Sequence, residues 1–341
     1  MTTTKTIYVA SRKSNLAMVQ TEQVIGWLQE LNPDVEFLIG QQDTIGDQVH
    51  DRHLSDLGAT SPGVFSKSLE EALLNGSARV AVHCLKDMPT TLPPGLVLGA
   101  ICKRESPEDA VIIHPKHKAN GISKLNDLPE GSVIGTSSLR REALLLRQSP
   151  TFKIKTIRGN IQTRLAKLEN ADDYDAIVIA ACGYRRVGLG DRLDEILPAD
   201  SFGYSVGQAS LGIECRADDH EVLEMVSKLQ DELSAQACKA ERSLLYHLEG
   251  GCQISMGVNT IVDSDTLTLT ATVLSRDGKK SIQDSHSGPR DQAESIGKAL
   301  ATTFLVNDQA RELLGDTTEK RAITYGSVEA PGDAAALART Q

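Results

Sequence analysis

Hydrophobic and polar positions switch between two periods in the first part of the chain, and they do so twice in the same order. The apolar stretch 6–10 gives way to the polar 11–15 and then to a segment in which Leu16, Val19, Val24, Trp27, Leu28 and Leu31 recur at helical spacing, so a strand, a turn and a helix are predicted. A second strand near 35–40, a helix over 63–76 that ends at Gly76, and a third strand over 78–85 follow. Strands over 132–136, 152–157 and 175–181, with helices in the segments 142–148 and 161–171 between them, repeat that order. Two similar α/β domains are therefore expected.

Beyond Gly207 the pattern changes. The segment 207–219 reads as a return strand into the first domain, and 233–251 as a long helix stopped by Gly250 and Gly251. The alternation over 266–276, the Asp277-Gly278 turn and a last helix near 292–305 predict a small antiparallel sheet with its own helices. The expected division is residues 1–107 with 207–228 as domain 1, 108–206 as domain 2 and 229–315 as an α+β domain 3. The tail 316–341, rich in Gly, Ala, Thr and acids with little apolar periodicity, is expected to be mobile.

Composition narrows the function. The 341 residues carry a net charge of −10 and only 4% aromatics, which disfavours nucleic acid because phosphate binding needs a basic face with stacking rings. The start lacks the apolar core of a signal peptide, and no apolar run approaches the roughly 20 residues of a membrane helix. A cytoplasmic protein that engages no membrane is expected, and a monomer. The six cysteines form no CxxC pair, so reduced thiols are expected and no metal site.

One window departs from the overall charge. Residues 135–165 hold seven Lys or Arg against the single acid Glu142, which points to an anionic small ligand. Chemically useful side chains cluster after predicted strands: Arg12 and Ser14, Gly46 and Asp47, Lys86 and Asp87, the segment 137–141, and 158–160. Open α/β sheets bind ligands at those carboxyl ends, and helix starts beside guanidinium groups suit a carboxylate or phosphate. Asp87, an acid among cations, either caps a turn or offsets positive charge developing on a substrate. His83 lies in an apolar run and reads as core. Cys252 follows two glycines, which favours a reachable thiol.

The segments ASRKSNLAMVQ, HCLKDMPT, GTSSLRR, RGNIQTRL, VGQASLGIE and LEGGCQISMGV, in this order and spacing, resemble the porphobilinogen deaminase (hydroxymethylbilane synthase) family. The resemblance implies two periplasmic-binding-protein-like α/β domains facing a cleft, with a small C-terminal α+β domain. It implies a dipyrromethane cofactor on Cys252, to which four porphobilinogen units are added head to tail with loss of ammonia before hydrolysis releases the linear tetrapyrrole. Asp87 matches the catalytic aspartate, with Lys86 beside it. Arg140, Arg141, Ser138, Thr136, Cys84, Arg158 and Gln208, with Lys86 and Asp87, match cofactor positions. Arg12, Ser14, Arg158, Asn160, Arg164, Arg186, Phe65 and Asp47 match substrate positions. The chain departs from the family pattern at Pro62, where a loop lysine is usual, and at Ser68, Cys84 and Ala209. The rival readings are a non-catalytic two-lobed anion binder and a low-activity relative.

Overall fold

The computed structural model describes residues 5–42, 66–248 and 254–315, so the expectations on Asp47, Pro62, Phe65, Cys252 and the tail 316–341 lie outside the described residues. In chain order the elements that build the site are β1 (Lys5–Arg12), α1 (Asn15–Leu31), β2 (Val35–Gln42), α2 (Lys67–Leu74), β3 (Val80–Cys84) and β4 (Leu96–Ile101). Then come β5 (Asp109–Ile113), β6 (Val133–Gly135), α3 (Leu139–Gln148), β7 (Lys153–Lys155), α4 (Ile161–Asn170), β8 (Ala176–Ala180), α5 (Ala181–Arg186) and β9 (Glu195–Ile196). The chain closes with β10 (Leu211–Arg216), α6 (His220–Ser227), α7 (Glu232–His247), β11 (Met256–Val262), β12 (Thr266–Leu274), β13 (Ser281–Pro289), α8 (Ala293–Val306) and α9 (Asp308–Leu314).

The repeat in the sequence is a repeat of topology. One five-stranded sheet runs β2-β1-β3-β10-β4 and the other β7-β6-β8-β5-β9. In each, the first strand of the repeat pairs in parallel with the two that follow it, β1 with β2 and β3, and β6 with β7 and β8. In each, an antiparallel strand comes next, β10 against β3 and β5 against β8. The inner strands β3, β5 and β8 are short, nearly continuous apolar runs because both faces of a sheet wrapped by helices are buried. His83 and Asp109 are the polar exceptions. His83 is core, as its apolar setting predicts, with Nε2 2.9 Å from Glu214 Oε2.

Each lobe has apolar clusters on both faces of its sheet, and the third domain has its own around Leu267, Leu269, Val273, Leu300 and Phe304. Alternation along β12 buries its leucines against α7 and α8 while β13 stays largely exposed. Leu274 at the end of β12 belongs instead to the core of the second lobe, so the third domain is docked on that lobe as well as packed within itself.

The chain crosses between lobes twice, after β4 and before β10, and polar groups secure both crossings. Arg104 forks onto the wholly buried Glu241 of α7 at 2.6 and 3.1 Å, and its guanidinium lies 4.7 Å from the Tyr204 ring centroid. Glu241 also accepts from the Gly207 N–H and the Thr260 hydroxyl, both at 2.8 Å. Tyr204 exchanges backbone hydrogen bonds with Val258 of β11, at 2.9 and 2.8 Å. Their neighbours Gly203 and Gly257 meet so closely that a Cβ on either would lie about 3 Å or less from the other's backbone.

Among the described residues Ala209 is the sole non-glycine with positive φ, at 72°. That left-handed conformation costs an L residue about 1–2 kcal/mol, part of which glycine recovers against its greater freedom in the unfolded chain. Ala209→Gly should therefore stabilise the protein by about 1 kcal/mol, raising the thermal midpoint by about 2 °C. A lower midpoint would show that the turn is not strained.

Candidate functional site

The rim of the first lobe is set by where β1 and β3 end. Ser14 caps α1, its hydroxyl accepting from the Ala17 N–H at 3.4 Å, and Arg12 ends β1 beside it. At the end of β3 a single 3₁₀ turn over Leu85–Asp87 buries Leu85 and leaves Lys86 and Asp87 at the rim. Arg12, Ala17, Gln20, Val82, His83, Cys84 and Asp87 line a small cavity. Inside it the Cys84 thiol donates to Gln20 Oε1 at 3.2 Å. Burial, and after it the Asp87 carboxylate, pushes that thiol up from its ordinary value.

The second lobe supplies the cations. Thr136 is buried after β6, its hydroxyl accepting from the Ser138 N–H at 3.2 Å, and Ser138 caps α3 by accepting from the Arg141 N–H. Arg140 and Arg141, on the first turn of α3, are both buried. Their sequence neighbourhood has few acids, and that shortage does not survive folding, because Asp109 at the start of β5 lies against both. Arg141 grips its two oxygens through Nε and Nη2 at 3.0 and 2.8 Å and gives Nη1 to the Val178 carbonyl at 3.2 Å. Arg140 uses Nη1 alone, 2.7 Å from Asp109 and 2.6 Å from the Gly203 carbonyl. Among the described residues its Nε and Nη2 have no hydrogen-bond partner.

Asp109 is wholly buried, and desolvation by itself would raise its carboxyl; the charges of Arg140 and Arg141 overcome this and hold it well below the usual carboxylate range. Burial first, and then the neighbouring Arg141, lowers Arg140. Arg164, on α4, gives Nε to the Gly159 carbonyl at 2.8 Å. It is lowered by burial and by Arg141 and Arg158, and Asp87 of the other lobe opposes the shift. Asn160 caps α4, accepting from the Thr163 N–H at 2.8 Å.

Two of the expected residues sit at the crossings between lobes. Gln208 is wholly buried; its Nε2 donates to Asp109 at 2.8 Å and to the Pro107 carbonyl at 2.6 Å, while its Oε1 accepts from Lys86 Nζ at 3.3 Å. Arg186 pairs with Glu105 and the Ala209 carbonyl, both at 2.6 Å. Its described contacts are those of a brace between the crossings. Asp109, Arg104, Glu105 and Glu241 were not singled out from sequence. The usable signal for Asp109 was an acid heading the apolar run 109–113.

With this geometry in place, residues 7–224 match the family model "porphobilinogen deaminase, dipyromethane cofactor binding domain", and 235–306 its "C-terminal domain" model. The chain is 47% identical to a porphobilinogen deaminase of Synechococcus elongatus over 91% of its own length and 95% of the relative's. It is 45% identical to one of Prochlorococcus marinus over 90% and 95%, and 46% identical to one of Nostoc over 91% and 94%. A solved substrate binding domain of a putative amino acid ABC transporter from Streptococcus pneumoniae overlaps at TM-score 0.40 and 13% identity, over 69% of this chain and 96% of that one.

The Cys84 environment is testable directly. Because burial and Asp87 disfavour the thiolate, alkylation of Cys84, followed by peptide mass, should inflect above the pH range of a free thiol near 8.5. In Asp87→Asn the inflection should move down. An inflection at or below the free-thiol range in the unmodified chain would contradict the assignment.

Proposed function

Since the chain belongs to the porphobilinogen deaminase family, we propose that Asp87 and the cationic strand ends of both lobes are the site at which it condenses porphobilinogen. The reaction joins four units head to tail with loss of ammonia and ends in hydrolytic release of hydroxymethylbilane for tetrapyrrole and haem biosynthesis. The observation that supports the site assignment is the hydrogen-bonded path that joins Lys86, the neighbour of Asp87, through Gln208 and Asp109 to Arg140 and Arg141 of the other lobe. The substrate's acetate and propionate groups need cations, and the charge that develops as ammonia leaves needs an anion. Both are present: Asp87 on the first lobe, and cations on each.

The residues fit the dipyrromethane group. Arg140 keeps three N–H groups, on Nε and Nη2, without a hydrogen-bond partner among the described residues while Asp109 holds its Nη1 in place. Ser255 donates to the carbonyl of Leu139, the residue before Arg140, at 3.4 Å. Cys252 lies three positions before Ser255 in the chain. When bound, the group is the primer on which the pyrrole chain is extended. Arg140, Arg141, Thr136, Ser138 and Arg158 would hold its carboxylates, with Lys86, Cys84 and Gln208 around it. Arg12, Ser14, Asn160, Arg164 and Arg186, with Asp47 and Phe65, would meet the incoming substrate. Asp87 accepts pyrrole N–H groups and offsets positive charge in the transition state, and Lys86 fixes the local field beside it. In this reading 1–107 with 207–228 carry Asp87, 108–206 carry the arginines, and 229–315 carry the thioether. The working unit is a cytoplasmic monomer without nucleic-acid partners; its overall charge of −10 supports the last point.

Intact mass tests the cofactor attachment. The protein purified from cells that make substrate should exceed its polypeptide mass by one dipyrromethane, and Cys252→Ser should not. An unmodified mass, or an adduct kept by Cys252→Ser, removes the proposal.

Asp87→Asn keeps the shape and loses the charge, so turnover should fall by about 10²–10³ with the fold retained, and Asp87→Glu should be milder. Near-normal turnover of the Asn variant would place the chemistry elsewhere.

Arg140→Glu should give unloaded protein, a worse outcome than Arg140→Ala, because it sets a second carboxylate against Asp109. Full loading of the Glu variant, again by mass, would show that Arg140 does not hold the primer.

A further inference from the structure

We propose that Asp109 is a positioning residue for the condensation: it aims Arg140 and Arg141 at the ligand carboxylates and, through Gln208, fixes their distance from Lys86 and Asp87. The inference rests on the reading of the site given above. Its basis is a continuous polar path across the crossing between lobes. Lys86 Nζ donates to Gln208 Oε1 at 3.3 Å, Gln208 Nε2 donates to Asp109 Oδ1 at 2.8 Å, and the two Asp109 oxygens take three hydrogen bonds from the arginines at 2.7 to 3.0 Å. Asp109 is wholly buried, so it meets neither solvent nor a passing ligand. Asp109 therefore acts through its neighbours.

The charge count separates this role from two simpler ones. One carboxylate faces two guanidinium groups, so a positive surplus remains for the ligand's carboxylates. If Asp109 merely balanced charge, Asp109→Asn would add one positive unit to the site and bind anions more tightly. If it were merely structural, the variant would be less stable, but each molecule that folded and took up the primer would turn over normally. A positioning role predicts the opposite of both. With an amide in place of the carboxylate, only one acceptor oxygen remains for Arg141 Nε, Arg141 Nη2 and Arg140 Nη1, so both guanidinium groups lose part of the anchor that sets their direction. The surplus charge grows while its direction is lost, and misplacement of about 1 Å at a reacting centre costs about a hundredfold.

The experiment compares wild type, Asp109→Asn and Asp109→Glu as full chains, measuring the loaded fraction by intact mass, kcat and KM for porphobilinogen per loaded chain, and the thermal midpoint. Asp109→Asn should load poorly, and its loaded fraction should show kcat down by about tenfold to a hundredfold without a fall in KM. Asp109→Glu, which restores the charge on a longer arm, should recover loading more than kcat. Loaded Asp109→Asn with wild-type kcat and KM, or with a lowered KM at unchanged kcat, overturns the proposal. If Asp109→Asn does not fold, Gln208→Met decides. It leaves the Asp109–arginine bonds in place and cuts the link to Lys86, so kcat per loaded chain should fall, and an unchanged kcat overturns the proposal. A wild type with neither adduct nor tetrapyrrole product would instead sink the functional reading on which it rests.

Discussion

A carboxylate cannot stay buried and ionised unless cations and hydrogen-bond donors enclose it, since desolvation of an unpaired charge costs several kcal/mol. This protein buries two where its chain crosses between lobes, and the rest of the arrangement follows from satisfying them. Asp109 takes Arg140, Arg141 and Gln208; Glu241 takes Arg104, Thr260 and the Gly207 amide. The second crossing is bonded at each step: Gly207 through its N–H, Gln208 through its side chain and carbonyl, Ala209 through its carbonyl to Arg186. A segment held at so many points tolerates a left-handed alanine, because the surrounding bonds over-determine its backbone. Removing one partner would leave the other buried and unpaired, which is costlier than the pair's net contribution.

The fold was legible where periodicity is strong. Strands β1, β2, β3, β6, β7 and β8 and their helices follow from apolar runs and helical spacing, and the return strand β10 from its apolar core. Elements decided by tertiary pairing were not. β5 begins with an acid and lies at the end of a polar crossing, and it is a strand because Asp109 to Ile113 pair with Ala180 to Ala176. α5 contains a glycine, a poor helix former, and holds because Gly183 packs beside Leu16 and Ile161. The site followed the same division. Cation density exposed the arginines, but the acid that meets Arg140 and Arg141 is 31 and 32 positions away, so local charge counting overstated how unpaired they are. Ser14, Ser138 and Asn160 stand where binding groups were expected and also cap helices, two roles that sequence alone does not separate.

The departures from the family pattern differ in their physical consequences. Cys84 exchanges a hydroxyl for a weaker donor, and because burial and Asp87 keep it protonated it adds no competing charge to the cavity. Ser68 Oγ on α2 is buried without a hydrogen-bond partner among the described residues, so it leaves a polar group unsatisfied there. Ala209 bears on function more directly, since it lies between Gln208 and the return strand and shares its carbonyl with Arg186.

A cleft lined with arginine serves an anion binder and a condensing enzyme equally well, and net charge does not tell them apart. At −10 overall the far field repels an anionic substrate, so attraction must come from cations acting within roughly one Debye length, about 8–10 Å. Within that range each cation counts, and each carboxylate counts against binding. Asp109 is a modest loss, because it is hidden and orients the guanidinium groups it partly neutralises. Asp87 is different: it lies at the rim, lines the cavity and opposes the field of Arg164. A protein selected only to hold anions gains nothing from a carboxylate there. A protein that must hold anionic side groups while stabilising a cation on the ring between them requires one, and with Asp109 holding Arg140 and Arg141 on the other lobe, those guanidinium groups are not spent on pairing with Asp87.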